Sequence, residues 1–151
     1  MTTTPTKPSA ERLTVPQSVV DSLRAHAQAT PAGMEFGGRL LVRAGAVESF
    51  EATANLSTEP GRFSSADFPA PPAGCREIRL HSHPSPVFHP SDADVEVALL
   101  RGQRQTAIYS VPLRSLAVWA VAEDRSYEAV PITHERRSSR RVPPRRPGRR
   151  W

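Results

Sequence analysis

The sequence predicts an α/β domain, a mixed β-sheet flanked by helices. Two observations carry that expectation. Apolar segments of strand length recur in both halves of the chain, and two further segments repeat apolar residues at helical spacing. Their order is helix, two strands, long loop, strand, helix, three strands, which suits a sheet with helices packed against it. No internal repeat is present.

Residues 1–11 read as a polar leader. Pro16 suits the first turn of a helix running to about residue 28, because its missing N–H has no intrahelical partner there anyway. Val19, Val20, Leu23 and Ala27 share one face of it, and Thr30-Pro31-Ala32-Gly33 breaks it. Leu40-Leu41-Val42 reads as a buried strand, and Gly45 turns the chain into a second strand near 47–54. Residues 55–74 form a long loop with little periodicity, and loops of that length in compact domains are commonly functional. In the strand at 77–83, Ile78 and Leu80 alternate with Arg79, His81 and His83, so the histidines look away from the core. Ser91 caps a second helix with Val95, Ala98 and Leu99 as its apolar stripe, and Gly102 stops it. Strands near 106–111, 116–122 and 127–132 follow, the last two joined by the polar turn Glu123-Asp124-Arg125-Ser126. Tyr109 and Trp119 read as core residues, His26 as a helix-surface residue, His89 as a loop residue and His134 as part of a tail.

Composition narrows the function classes. The 151 residues suit one domain with a moderate core, and 16 prolines lower the regular share. The net charge of +5 is uneven: residues 134–151 hold eight arginines against one acid, and residues 1–133 hold twelve bases against fourteen acids. The body is therefore nearly neutral, and the tail, rich in Arg and Pro, is expected to be disordered. The opening MTTTPTKPSA lacks the apolar core of a signal peptide, and no apolar run approaches the ~20 residues of a membrane span. A single cysteine, Cys75, rules out an internal disulfide and a multi-cysteine metal site, and makes a reducing cytoplasm the simplest setting.

Chemistry concentrates at residues 81–94. His81 and His83 lie two apart on one strand face, seven residues separate His83 from Ser91, and Asp94 follows in the first turn of a helix. Two imidazoles and a carboxylate make a three-ligand N/O set, the kind that catalytic zinc uses while keeping one position for water. The same triad also describes non-haem iron centres. The helix between the ligands argues against the all-strand barrels that often carry that triad. A lone Ser-x-x-Asp is otherwise a helix cap with a first-turn acid, and the two roles are compatible.

These residues carry a resemblance. Glu35, then His81-Ser82-His83-Pro84, seven residues, and Ser91-Asp92-Ala93-Asp94 resemble the motif of the JAMM (MPN+) zinc metalloproteases. The segment Glu35-Phe36-Gly37-Gly38-Arg39-Leu40-Leu41 resembles the family's Glu-x-Cys-Gly-x-Leu stretch, with Gly37 where cysteine is frequent. Asn55-Leu56-Ser57-Thr58-Glu59-Pro60 with Phe63 resembles its asparagine-containing stretch. The coverage runs over residues 12–133 and stops before the tail at 134–151. The resemblance implies an MPN domain of the cytidine-deaminase-like type. It also implies Zn2+ on His81, His83 and Asp94, Glu35 as general base, and Ser91 as donor to the developing oxyanion. It further implies a substrate like ubiquitin, cut after a C-terminal Gly-Gly. The compact size is similar to small bacterial members acting on sulfur-carrier proteins, with no membrane partner.

Two other classes remain open at this level. One is an MPN scaffold without activity, although such domains generally lose ligands and all five motif positions stand here. The other is a module that binds an acidic partner or nucleic acid through the arginine tail. Apart from Trp151 that tail lacks the interleaved aromatics of a single-strand reader.

Overall fold

The computed structural model describes residues 11–59, 61–65 and 67–135. In order they form β1 (Leu13–Pro16), α1 (Gln17–Ala29), β2 (Gly37–Arg43), β3 (Ala46–Thr53), β4 (Arg76–His83), α2 (Asp92–Leu100), β5 (Gln105–Ser110), β6 (Ser115–Val121), β7 (Tyr127–Ala129) and β8 (Ile132–Glu135). All eight strands join one sheet in the order β7-β6-β5-β4-β2-β3-β1-β8. It is mixed: β4–β5, β1–β3 and β1–β8 run parallel, and the other neighbours antiparallel.

The expected strand at 127–132 is two strands on opposite edges of that order. Val130 still donates to Val118, but Pro131 has no N–H to continue the ladder, and its carbonyl instead accepts from Leu13. The chain thus leaves β6 and pairs with β1 within two residues. The sheet's two edges therefore lie close together, and the sheet is curled. β1 itself was not foreseen in the sequence. Four residues are too few for an alternation signal, and pairing with β3 and β8 creates the strand.

One face of the sheet holds the main core. Leu13, Val15, Leu40, Ile78, Leu80, Tyr109 and Val118 pack there against Val19 and Leu23 of α1. Each such fully buried aliphatic side chain contributes about 1.5–3 kcal/mol over leaving it exposed. Helix α2 lies on the other face, with Val95 and Ala98 inward. Flanking by helices therefore holds only in part, because α2 has nine residues and loop residues Phe63 and Phe68 lie against β2 and β4 on that face. Among the described residues no helix is long and apolar enough to cross a membrane.

Ordered structure passes the boundary expected at 133, because His134 and Glu135 pair with Val15 and Pro16. The expectations for the leader and for the rest of the tail lie outside the described residues. Trp119 is not core: it points to the face opposite Val118, stacks edge-on against Tyr127 and donates to the Phe88 carbonyl. His26 is half-buried between Phe36 and Phe50 rather than free on the helix surface.

Candidate metal centre

Strand β4 delivers both imidazoles. Ile78, Leu80 and Ser82 are buried at 0–1% exposure, which fixes the strand's facing and leaves Glu77, Arg79, His81 and His83 together on the other side. There the Nε2 atoms of His81 and His83 approach to 3.1 Å. The first turn of α2 places Asp94 against them, with Oδ1 3.2 Å from His81 Nε2 and Oδ2 3.6 Å from His83 Nε2.

These donor atoms fit a metal ion. A tetrahedral ion bound at about 2.0–2.1 Å sets its donors roughly 3.3 Å apart; the Nε2–Nε2 and His81–Oδ1 pairs, at 3.1 and 3.2 Å, lie close to that length, while Oδ2, bonded to the Ser91 amide, is the oxygen nearer His83. His83 Nδ1 lies 2.7 Å from the Val87 carbonyl, an acceptor only. That bond puts the ring proton on Nδ1 and turns the Nε2 lone pair toward the triangle. Among the described residues His81, His83 and Asp94 are the group of three such side chains within reach of a common ion.

A capping box aims Asp94. The Ser91 hydroxyl oxygen accepts the Asp94 amide at 3.1 Å, and the Ser91 amide donates to Asp94 Oδ2 at 2.9 Å. Because that hydroxyl accepts from the backbone, its own proton remains to be donated into the cleft. The loop between the ligands is tied down from β5 and β6, by Ser110 to the Ser85 carbonyl and by Trp119 to the Phe88 carbonyl.

Glu35 reaches the site from the segment before β2. It is 7% exposed, and its neighbour Phe36 exchanges two hydrogen bonds with Ser82, the residue between the two histidines. Asn55 donates to the Glu35 carbonyl at 3.0 Å. Burial pushes the Glu35 carboxyl above its ordinary value, and the nearby His81 and His83 only partly offset this. Asp94 goes the other way: burial raises it, but the hydrogen bonds of His81 and His83 outweigh that and hold it far below the carboxylate range. The bond to Asp94 raises His83 against the effect of its burial. Two carboxyls in one cleft thus have environments that push them apart, a pattern suited to separate roles.

All five residues singled out from the sequence, Glu35, His81, His83, Ser91 and Asp94, line one cleft of about 970 Å³. Loop residues 61–65 form its facing wall. Sequence reasoning missed Ser82 and Arg39. Arg39 is 3% exposed, bonds Glu51 and the Pro69 carbonyl, and stacks on Phe68, which holds the long loop over the sheet. Its only signal was a charge inside an apolar run. Glu77 pairs with Arg39 and Arg79, away from a base's role. Burial and a contact with Glu48 push the Cys75 thiol up, which disfavours a nucleophilic thiolate.

No family model matches this sequence, and no curated protein does. Solved structures do resemble the fold. A protein from Desulfitobacterium hafniense matches at 19% identity with a TM-score of 0.60, over 82% of this chain and 92% of that one. A protein from Salinibacter ruber matches at 25% identity and 0.55, over 83% and 94%. A JAB1/MPN domain protein from Archaeoglobus fulgidus matches at 15% identity and 0.53, over 81% and 98%. On this evidence the chain has an MPN-like fold, with its cluster of two histidines and one aspartate close together on the sheet face under α2.

Proposed function

We propose that the protein is a zinc-dependent hydrolase of the JAMM type. It cuts a peptide or isopeptide bond after the C-terminal Gly-Gly of a ubiquitin-like protein, most simply a sulfur-carrier protein. The observation that carries this reading is the donor triangle of His81, His83 and Asp94 with a buried, proton-accepting Glu35 in the same cleft. Zinc held there supplies Lewis acidity and brings the pKa of its water to about 7. Glu35 takes the proton of the attacking water and passes it to the leaving amine, a transfer typically contributing ~10²–10⁴-fold. The Ser91 hydroxyl donates to the oxygen that gathers charge as the carbonyl is attacked. The burial that raises Glu35 makes it a stronger proton acceptor than an exposed carboxylate.

The test uses purified full-length protein and a sulfur-carrier protein extended by a few residues after Gly-Gly. Metal analysis should find close to one zinc per chain, and mass spectrometry should find the extension released. Glu35→Gln should keep the zinc and lose turnover by at least two orders of magnitude. A wild-type protein that holds no metal, or a Glu35→Gln variant with near-normal turnover, overturns the assignment.

A further inference from the structure

We infer that Phe63 sets the side-chain allowance at the bond to be cut, admitting a residue without a side chain and turning away larger ones. This rests on the hydrolase reading above and names the group that would make it selective. Gly37 of β2 pairs directly with His81 of β4, so any side chain at 37 would stand beside the first histidine on the same face. A Cβ there would lie 2.5 Å from Cζ and 2.7 Å from Cε1 of Phe63. The aromatic ring therefore fills the space next to His81 that position 37 leaves open. Gly37 is also required by the backbone, since the same Cβ would meet the Leu80 carbonyl at 2.6 Å.

The ring is held in place from both sides. Asn55 donates to the Arg62 carbonyl at 2.9 Å and accepts from the Ser64 amide at 3.2 Å, the two residues flanking Phe63. Leu56 donates to the Ser64 carbonyl, and Gly61 to the Gly33 carbonyl. Since Asn55 also donates to the Glu35 carbonyl, one side chain sets the positions of the acid and of the aromatic wall. Phe63, Glu35 and His81 line the same cleft. A flat apolar ring at that place lets an extended backbone pass toward the donor triangle, while a branched side chain collides with it.

The experiment measures kcat/KM of wild type, Phe63→Leu and Phe63→Ala on the extended sulfur-carrier protein used above, in versions that differ only in the residue before the bond: Gly, Ala or Val. Zinc content is followed in parallel. Wild type should favour Gly over Val by about 100-fold, the upper range for a steric pocket. That preference should fall at least tenfold in Phe63→Ala and by a smaller factor in Phe63→Leu, with zinc retained. A uniform loss on all versions of the substrate, or an unchanged Gly/Val ratio, overturns the inference and leaves the hydrolase reading standing. A wild-type protein that cleaves no member of the series overturns both.

Discussion

Ser82 and Phe36 exchange hydrogen bonds in both directions: the Phe36 amide donates to Ser82 Oγ at 2.9 Å, and the Ser82 amide donates to the Phe36 carbonyl at 2.8 Å. The segment carrying Glu35 is thereby attached to the strand position between the two histidines. Ser82 faces the core at 0% exposure, so no water replaces its hydroxyl.

Ser82→Ala should therefore leave a buried amide without an acceptor, at a cost of about 1–3 kcal/mol. Zinc content should stay near wild type, because His81 and His83 project from the other face. The proton-transfer step should slow as the Glu35 segment loses one of its two bonds to β4. Thermal unfolding, metal analysis and single-turnover kinetics on one preparation check this. A variant with wild-type kcat would show that Glu35 is placed by other contacts.

His83→Ala and Asp94→Ala should both lose the metal, yet differ at helix α2. Asp94 accepts the Ser91 amide as half of the capping box, whereas His83 takes no part in it. Hydrogen exchange at residues 91–95 of the metal-free proteins should be faster in Asp94→Ala than in His83→Ala. Ser91→Ala should cost about 1 kcal/mol for the lost cap. Equal exchange in the two ligand variants would contradict the dual role of Asp94.

The gain in Tm from bound zinc should widen as pH rises from about 5.5 to 8. In the metal-free protein the bond to Asp94 raises His83 above its unfolded value, about 6.5. That contribution is fully present below the unfolded pKa and fades as pH rises through the folded one. Asp94 is depressed, so its contribution is present above about 3.9 and fades only as pH falls well below that. Over this window the metal-free protein thus loses stability from His83 and also from Glu35, whose buried, raised carboxyl is held protonated more firmly in the folded than in the unfolded chain. Metal binding has the opposite slope, since it needs His83 without its second proton. Melts with zinc and with a chelator across this range read the difference directly, and a constant gap would count against His83 as a ligand.

A chain ending at Glu135 should fold and keep its metal, because every pairing of β8 with β1 is retained. Ending it at Pro131 removes β8 and exposes the β1 edge, and Tm should drop by several degrees. Circular dichroism melts of the two truncations, each with zinc present, compare them. Equal Tm values would mean that β8 adds nothing to the fold.

The sequence by itself determined what depends on near neighbours along the chain. Alternation in β4 put His81 and His83 on one face, and the Ser91–Asp94 spacing specified a capped helix with its acid in the first turn. Gly45 and Gly102 marked turns that adopt positive φ. Tertiary structure decided everything that depends on register between distant strands. Pairing of β2 with β4 brought Gly37 beside His81 and made room for Phe63. The curl of the sheet created β1 and β8 from segments too short to show a period. Trp119 had the composition of a core residue, yet its position in β6 turned it to the face where it supports the loop after His83. Ser82 reads as filler within a His-x-His pattern. Only the approach of Phe36, 46 residues away in the chain, makes it the attachment point of Glu35. A local pattern fixes which way a side chain points, but what it meets there depends on which strand the fold lays alongside.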